Sequence, residues 1–339
     1  MKINIELIVL SLLMVVCPSL VNAQGASDMT GDFARPPHLK KGDTIMILSP
    51  AGRIRDRKGI ETATELANHW GLVVFYGNHL LSEEGSFAGS DKDRLEDLQK
   101  ALDDASIKAI WASRGGYGTV RIVDDLDFSK FAQNPKWIVG FSDITILHNK
   151  LNQLGYQSIH AHMPVTLELE NPEQKESIKS LHRALFGKKV EYKISTIDGN
   201  KDASREGVGR GQLVGGNLSI VYSMLGSDTN LKMSGKVLFL EEVGERLYHI
   251  DRMMISLKRA GYFEQCNGLI IGDFKLKENK GNPFGKTLEE IVLEATEGTK
   301  FPILFDFPAG HVDDNRALIM GSNVELNVGK KKSKIVFRN

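Results

Sequence analysis

Apolar residues fall along the chain in two rhythms. Continuous runs at Thr44–Leu48, Leu72–Tyr76, Ile107–Ala112 and Trp137–Val139 read as strands buried on both faces. Between them, 58–69 and 91–104 repeat apolar positions at helical spacing, with Leu95, Leu98 and Leu102 on one face of the second. Strand and helix in alternation predict an α/β fold: a Rossmann-like parallel sheet covered on both sides. A helix over 144–154 and a short strand over Ser158–Ala161 continue the pattern.

The rhythm changes after residue 170. A helix over 172–186 runs into a charged, Gly-containing stretch from Asp198 to Arg210, which reads as a domain boundary. The expected organisation is an N-terminal α/β domain over 42–190, a linker over 191–210 and a C-terminal domain over 211–339. In the last part, strands are expected at Lys236–Leu240, Leu269–Phe274, Ala317–Met320 and Asn323–Val328. Helices are expected at Ser219–Met224, Ile250–Ala260 and Leu288–Ala295. The run Lys330-Lys331-Lys332 reads as a solvated turn.

Ahead of the first strand the pattern is that of an export signal. Lys2 precedes an apolar run from Leu7 to Val16, and Val21-Asn22-Ala23 suits a signal peptidase. The run is too short to span a bilayer comfortably. Residues 1–23 are therefore expected to be removed after Ala23, with 24–41 a polar leader and a periplasmic or extracellular product. A lipid anchor at Cys17 is disfavoured, because Met14-Val15-Val16 lacks the small residues such a site wants. Removal leaves only Cys266, so the mature chain forms no internal disulfide.

Composition changes the picture little. Lys+Arg and Asp+Glu are both 43 in 339 residues, so nothing in the charge points to nucleic acid or an anionic membrane.

The candidate chemistry sits where elements meet. Gly140-Phe141-Ser142-Asp143 follows a buried strand and precedes a helix. A serine on such a turn is exposed at the sheet edge, and the helix N-terminus behind it favours a developing anion. The same residues suit a plain helix N-cap, and Ile144 stands where a nucleophile elbow ends in Gly. A serine nucleophile needs a base and an acid to orient it. Of nine His, His311 follows an apolar segment and a Gly, as a loop at a sheet edge does. Glu241 and Glu242 both close the strand ending at Leu240, and pattern does not choose between them.

For an oxyanion, the backbone N–H of Asp143 is one donor, and the turn Arg114-Gly115-Gly116-Tyr117-Gly118 can supply another. That turn matches neither the dinucleotide fingerprint nor the P-loop, so nucleotide binding is the weaker reading. His160 and His162 share one side of a strand at a spacing some metal sites use, but no third ligand lies nearby.

Taken together, Arg114-Gly115-Gly116-Tyr117-Gly118, Gly140-Phe141-Ser142-Asp143, Gly215-Gly216-Asn217, Leu238-Phe239-Leu240-Glu241-Glu242 and Gly310-His311 resemble the LD-carboxypeptidases, serine peptidases that include the microcin C immunity peptidases. The resemblance runs from about Lys40 to Val328. It implies Ser142 as nucleophile, Glu241 as acid and His311 as base, with the backbone of Gly116 and Asp143 as oxyanion donors. It also implies a C-terminal domain rich in β-structure, a site between the domains and a homodimer. The expected activity is release of the C-terminal D-amino acid of a murein tetrapeptide at an L,D bond, with no cofactor and no metal. Arg114, beside the glycine turn, is the candidate for the substrate carboxylate.

Two alternatives stay open: a related peptidase acting on aminoacyl-nucleotide conjugates, and an exported peptide-binding module in which Ser142 only caps a helix. The sequence departs from the family in its export signal and in His160-Ala161-His162-Met163-Pro164, where relatives often have Gly before Met-Pro.

Overall fold

The apolar runs build two sheets whose buried faces meet. The computed structural model describes residues 32–195, 203–277 and 283–338, so the expected signal segment lies outside the described residues. The first sheet begins with β1 (Thr44–Leu48), β2 (Val73–Tyr76), β3 (Ile107–Ala112), β4 (Trp137–Gly140) and β5 (Ser158–His160). The second contains β6 (Glu191–Ser195), β7 (Gly207–Asn217), β8 (Lys236–Val243), β9 (Cys266–Lys275) and β10 (Ile303–Leu304). Three further strands close the chain: β11 (Leu318–Met320), β12 (Asn323–Val328) and β13 (Lys332–Arg338).

Strand order is β11-β5-β4-β3-β1-β2 in one sheet and β10-β9-β8-β7-β12-β13-β6 in the other. β1 to β5 are parallel, and β11 adds antiparallel at the edge, so a strand from the end of the chain completes the first sheet. β7 to β10 are parallel, while β12, β13 and β6 continue antiparallel from β7. This is a two-part α/β fold of mixed sheets.

The helices that cover them are α1 (Lys58–His69), α2 (Asp91–Asp103), α3 (Ser129–Gln133), α4 (Thr145–Gln153) and α5 (Lys175–Leu185) around the first sheet. Around the second are α6 (Leu218–Ser223), α7 (Leu247–Arg259), α8 (Tyr262–Gln265) and α9 (Leu288–Ala295).

Strand alternation divides the core in two. Met46 and Leu48 of β1, Ile138 of β4, and Leu238 and Leu240 of β8 share one apolar cluster. Ile45, Ile47, Trp137, Val139, Val237 and Phe239 share the other. Each cluster draws on both sheets, which locks the two halves together. At the junction, α4 lies against β7. A Cβ on Gly216 would fall 2.4 Å from Thr145 Oγ1, and Thr145 Oγ1 accepts from Asn217 N–H at 3.0 Å. Gly215-Gly216 is therefore a close helix–strand contact that a side chain would separate.

Several stretches differ from the sequence expectation. The stretch 191–210, read as a linker, holds β6 and the first part of β7. Its apolar signal is thin: only Tyr192 and Ile194 of β6 turn inward, between exposed Lys193 and Ser195. β13 follows the lysine run, with Ser333, Ile335 and Phe337 buried and lysines on the other face. After the glycine turn come two 3₁₀ turns, Thr119–Arg121 and Val123–Asp125. Part of the leader is built into the fold: Ala34 N–H donates to Gly155 O at 2.7 Å, and Trp137 Nε1 donates to Pro37 O at 3.0 Å.

Candidate active site

Ser142 stands at the C-terminal end of β4, where α/β sheets present ligand-binding groups. Its φ is +62°, one of two positive values at non-glycine positions among the described residues. Such a conformation costs on the order of 1–3 kcal/mol and is kept only where the surroundings enforce it. Gly140 provides the room: a Cβ there would lie 2.9 Å from Ile144 Cγ1. Ile144, in the place of the missing second Gly, is thus accommodated by the first. Behind the turn, His148 Nε2 donates to Gly140 O and Nδ1 accepts from Ser158 Oγ, both at 2.9 Å. Burial pushes that imidazole down to about 4, so it stays neutral and the tautomer is fixed by the carbonyl.

The glycine turn closes over the serine. A Cβ on Gly115 would sit 3.0 Å from Ser142 Cβ and 3.1 Å from its Oγ. The Gly115 carbonyl accepts from Gly52 N–H at 2.9 Å, so the N–H of Gly116, trans in the same peptide, points away from Gly52. The peptide between Gly118 and Thr119 is held at both ends. Arg94 Nη1 donates to Gly118 O at 2.8 Å, and Asp143 Oδ2 accepts from Thr119 N–H at 2.9 Å. A buried cation and a buried carboxylate thus grip the two poles of one peptide unit. Burial raises the Asp143 carboxyl, opposed by its bonds to the turn and by Arg94. Arg94 also reaches Pro50 O at 3.1 Å and pairs with Asp91, which ties the turn after β1 to the turn after β3.

β8 gives its two glutamates different surroundings. Alternation places Glu241 on the Phe239 face and Glu242 on the Leu240 face. Glu241, 0% exposed in its side chain, accepts from His311 Nδ1 at 2.8 Å, while His311 keeps 21% exposure. Gly310 makes this possible, since a Cβ there would crowd Glu241 Cβ at 3.1 Å. Glu242 faces the start of α6, accepting from Ser219 N–H at 2.7 Å, Ser219 Oγ at 2.6 Å, Asn217 Nδ2 at 3.1 Å and Val243 N–H at 2.8 Å. Burial holds its carboxyl above the usual range.

With Nδ1 committed to Glu241, Nε2 is the His311 nitrogen open to a hydroxyl. The ring packs edge-on against Phe141, the neighbour of Ser142, with centroids 4.9 Å apart. The serine turn, the imidazole and the buried glutamate therefore form one contiguous assembly, though they lie far apart in sequence.

Other candidate residues fall elsewhere. Arg114 Nη1 donates to Arg53 O at 3.2 Å, so its side chain lies back along the first turn. His160 is wholly buried between Phe141 and Phe239, with ring centroids at 5.7 and 5.0 Å, and burial drives its pKa well down. His162 points to Thr166 and Asp313. Among the described residues no group of three or more His, Cys, Asp or Glu side chains could hold a metal ion. The sequence reading missed Arg94, His148 and the side chain of Asp143. Arg94 and His148 lie on helices rich in polar residues and Asp143 follows a serine on a turn, so only tertiary contact separates them from ordinary surface positions.

Comparison with known proteins adds the lineage. The profile of the LD-carboxypeptidase N-terminal domain matches residues 45–161, and that of the C-terminal domain matches 210–326. The chain belongs to the LD-carboxypeptidase family. Within this family it is 33% identical over 318 residues to a probable murein peptide carboxypeptidase of Bacillus subtilis, covering 91% of this chain and 97% of that protein. It is 30% identical over 291 residues to a murein tetrapeptide carboxypeptidase of Pseudomonas aeruginosa, covering 83% of this chain and 92% of the other. Its fold matches the crystal structure of a muramoyltetrapeptide carboxypeptidase from Oxalobacter formigenes with a TM-score of 0.77 at 24% identity, over 87% of this chain and 99% of that one. It also matches MccF in complex with glutamyl sulfamoyl guanosine, with a TM-score of 0.79 at 20% identity over 91% and 99%. Membership supports a hydrolase of carboxypeptidase type.

Proposed function

We propose that this LD-carboxypeptidase family member is a serine carboxypeptidase that releases the C-terminal D-amino acid of a murein tetrapeptide. The observation that carries the reading is the buried Glu241–His311 pair beside a serine held at positive φ. Ser142 Oγ attacks the scissile carbonyl while His311 Nε2 takes its proton. Glu241 holds the tautomer and stabilises the imidazolium. The N–H groups of Gly116 and Asp143 receive the oxyanion. The tetrahedral species collapses as His311 returns the proton to the leaving amine, and water then hydrolyses the acyl-enzyme by the same route. Names of the relatives from B. subtilis and P. aeruginosa support murein peptide as the substrate class.

Mass spectrometry of purified tetrapeptide incubated with the protein tests the reading. Loss of one terminal D-alanine is expected, and Ser142→Ala is expected to fold normally and lose roughly three or more orders of magnitude in kcat. Turnover unchanged in Ser142→Ala would sink the assignment. Action on aminoacyl-nucleotide conjugates, suggested by the likeness in fold to MccF, is tested by including them in the substrate panel. A fluorophosphonate label that appears on wild type and not on Ser142→Ala excludes a purely binding role. Export with cleavage after Ala23 and a homodimeric state belong to the same proposal. N-terminal sequencing of the secreted fraction and light scattering of the purified protein check them.

A further inference from the structure

The loop that carries His311 has no regular structure of its own between Phe307 and β11. Glu241 fixes one ring nitrogen, yet the position of the ring also depends on the backbone from which it projects. That backbone is held from outside at Asp313. The Asp313 carbonyl accepts from His162 Nε2 at 2.9 Å and from Ser177 Oγ at 3.0 Å, and Gln174 Nε2 donates to Asp313 Oδ1 at 3.3 Å. All three donors come from the half of the chain that bears Ser142. His162 is itself well anchored: it is 3% exposed, its Nδ1 meets Thr166 Oγ1 at 2.9 Å, and its carbonyl accepts from Trp111 Nε1 at 2.8 Å. A carbonyl acceptor requires hydrogen on Nε2, and burial favours the neutral ring, so the donor is fixed as well as placed.

We propose that His162 is a positioning residue for the base: by pinning the carbonyl of Asp313, two residues beyond His311, it sets the imidazole in register with Ser142 across the junction of the two halves. The inference rests on the triad proposed above. It gives a task to the histidine that departs from the family pattern. Other anchors flank this segment: Ala309 O accepts from Asp273 N–H at 2.9 Å and Gly310 N–H donates to Asn315 Oδ1 at 3.0 Å before the ring, while Ser180 Oγ accepts from Ala317 N–H at 2.8 Å and Tyr192 OH donates to Ala317 O at 2.6 Å beyond it. The contacts before the ring come from the second half of the chain or from the loop itself, whereas His162 ties the side after it to the half that bears Ser142.

The test compares His162→Ala, His162→Gln and Ser177→Ala with wild type and Ser142→Ala, using murein tetrapeptide as substrate. In His162→Ala kcat is expected to fall about 10- to 100-fold with KM within about twofold, since a base displaced by a fraction of an ångström spoils the attack geometry without touching substrate binding. His162→Gln, which keeps a side-chain N–H donor, is expected to restore most of the rate. Wild-type kcat in His162→Ala, alongside an inactive Ser142→Ala, overturns the proposal and leaves the triad standing. An active Ser142→Ala would instead sink the triad itself. Should His162→Ala fail to fold, Ser177→Ala carries the test, because it removes the second donor on the same carbonyl with little change of volume. A several-fold loss of kcat at constant KM there supports the pin, and an unchanged kcat refutes it.

Discussion

Adjacent glutamates on one strand are expected to respond in opposite ways to the same small substitution. Glu241→Gln keeps the shape of a buried side chain whose one oxygen meets His311 Nδ1 and whose other, Oε1, has no hydrogen-bond partner among the described residues. If the amide oxygen turns to His311, the charge that stabilises the imidazolium is gone. If the amide nitrogen turns instead, Nδ1 must accept, the proton moves to Nε2, and the ring can no longer take one from Ser142. Either way kcat is expected to fall by about 10³–10⁴, equivalent to about 4–5.5 kcal/mol of barrier.

Glu242→Gln meets a different environment. Oε1 of Glu242 serves Asn217 Nδ2 and Val243 N–H, and Oε2 serves Ser219 N–H and Oγ. An amide nitrogen in either place faces two donors and leaves at least one backbone N–H unpaired. At about 1–3 kcal/mol for each unsatisfied buried donor, the cost is roughly 2–4 kcal/mol of stability. The expected pattern is a Glu241→Gln enzyme with near wild-type melting but almost no turnover, and a Glu242→Gln enzyme that melts several degrees lower and remains active where folded. Steady-state kinetics and thermal denaturation on both proteins read this directly. A Glu241→Gln enzyme within tenfold of wild type, beside a folded but inactive Glu242→Gln, would refute the reasoning.

Other consequences are as direct. Gly115→Ala brings a methyl to 3.0–3.1 Å from the Ser142 side chain, so kcat is expected to drop by about 10²-fold with only a minor change in urea midpoint. Arg94→Met removes the donor from Gly118 O and Pro50 O and leaves Asp143 buried with less compensation. A loss of about 3–5 kcal/mol in urea unfolding is expected, and stability within 1 kcal/mol of wild type would contradict the clamp. His148 is held at about 4 against an ordinary 6.5, so the folded state binds its proton less readily than the unfolded chain. Its contribution is complete above about pH 6.5 and drains as pH falls towards 4, by about 3 kcal/mol in all. Urea midpoints from pH 7.5 to 4 are expected to fall more steeply in wild type than in His148→Gln. Asp143 and Glu242, raised by burial, act in the opposite sense at low pH and are common to both proteins.

By itself the sequence determined the alternating α/β order, because strands buried on both faces must be apolar throughout and their covering helices must be amphipathic. Trp137–Val139 before Gly140 and Leu238–Leu240 before Glu241 were legible for that reason. So was the pairing of a serine turn with glycines that leave room around it. Elements with weak inward faces were not legible. β6 and β13 hide two or three buried residues among lysines, and the resulting pattern resembles a solvated loop. Residue pattern left Glu241 and Glu242 equivalent, and only the packing of the sheet, which turns the Glu241 face to the loop, accounts physically for the glutamate that the family resemblance implied. It also decided that Arg94, Asp143, His148 and His162 hold the turns in place. Each acts on a backbone carbonyl or amide at a place the chain reaches only after folding, and a hydrogen bond to a main-chain atom leaves no mark on the identity of the residue it holds.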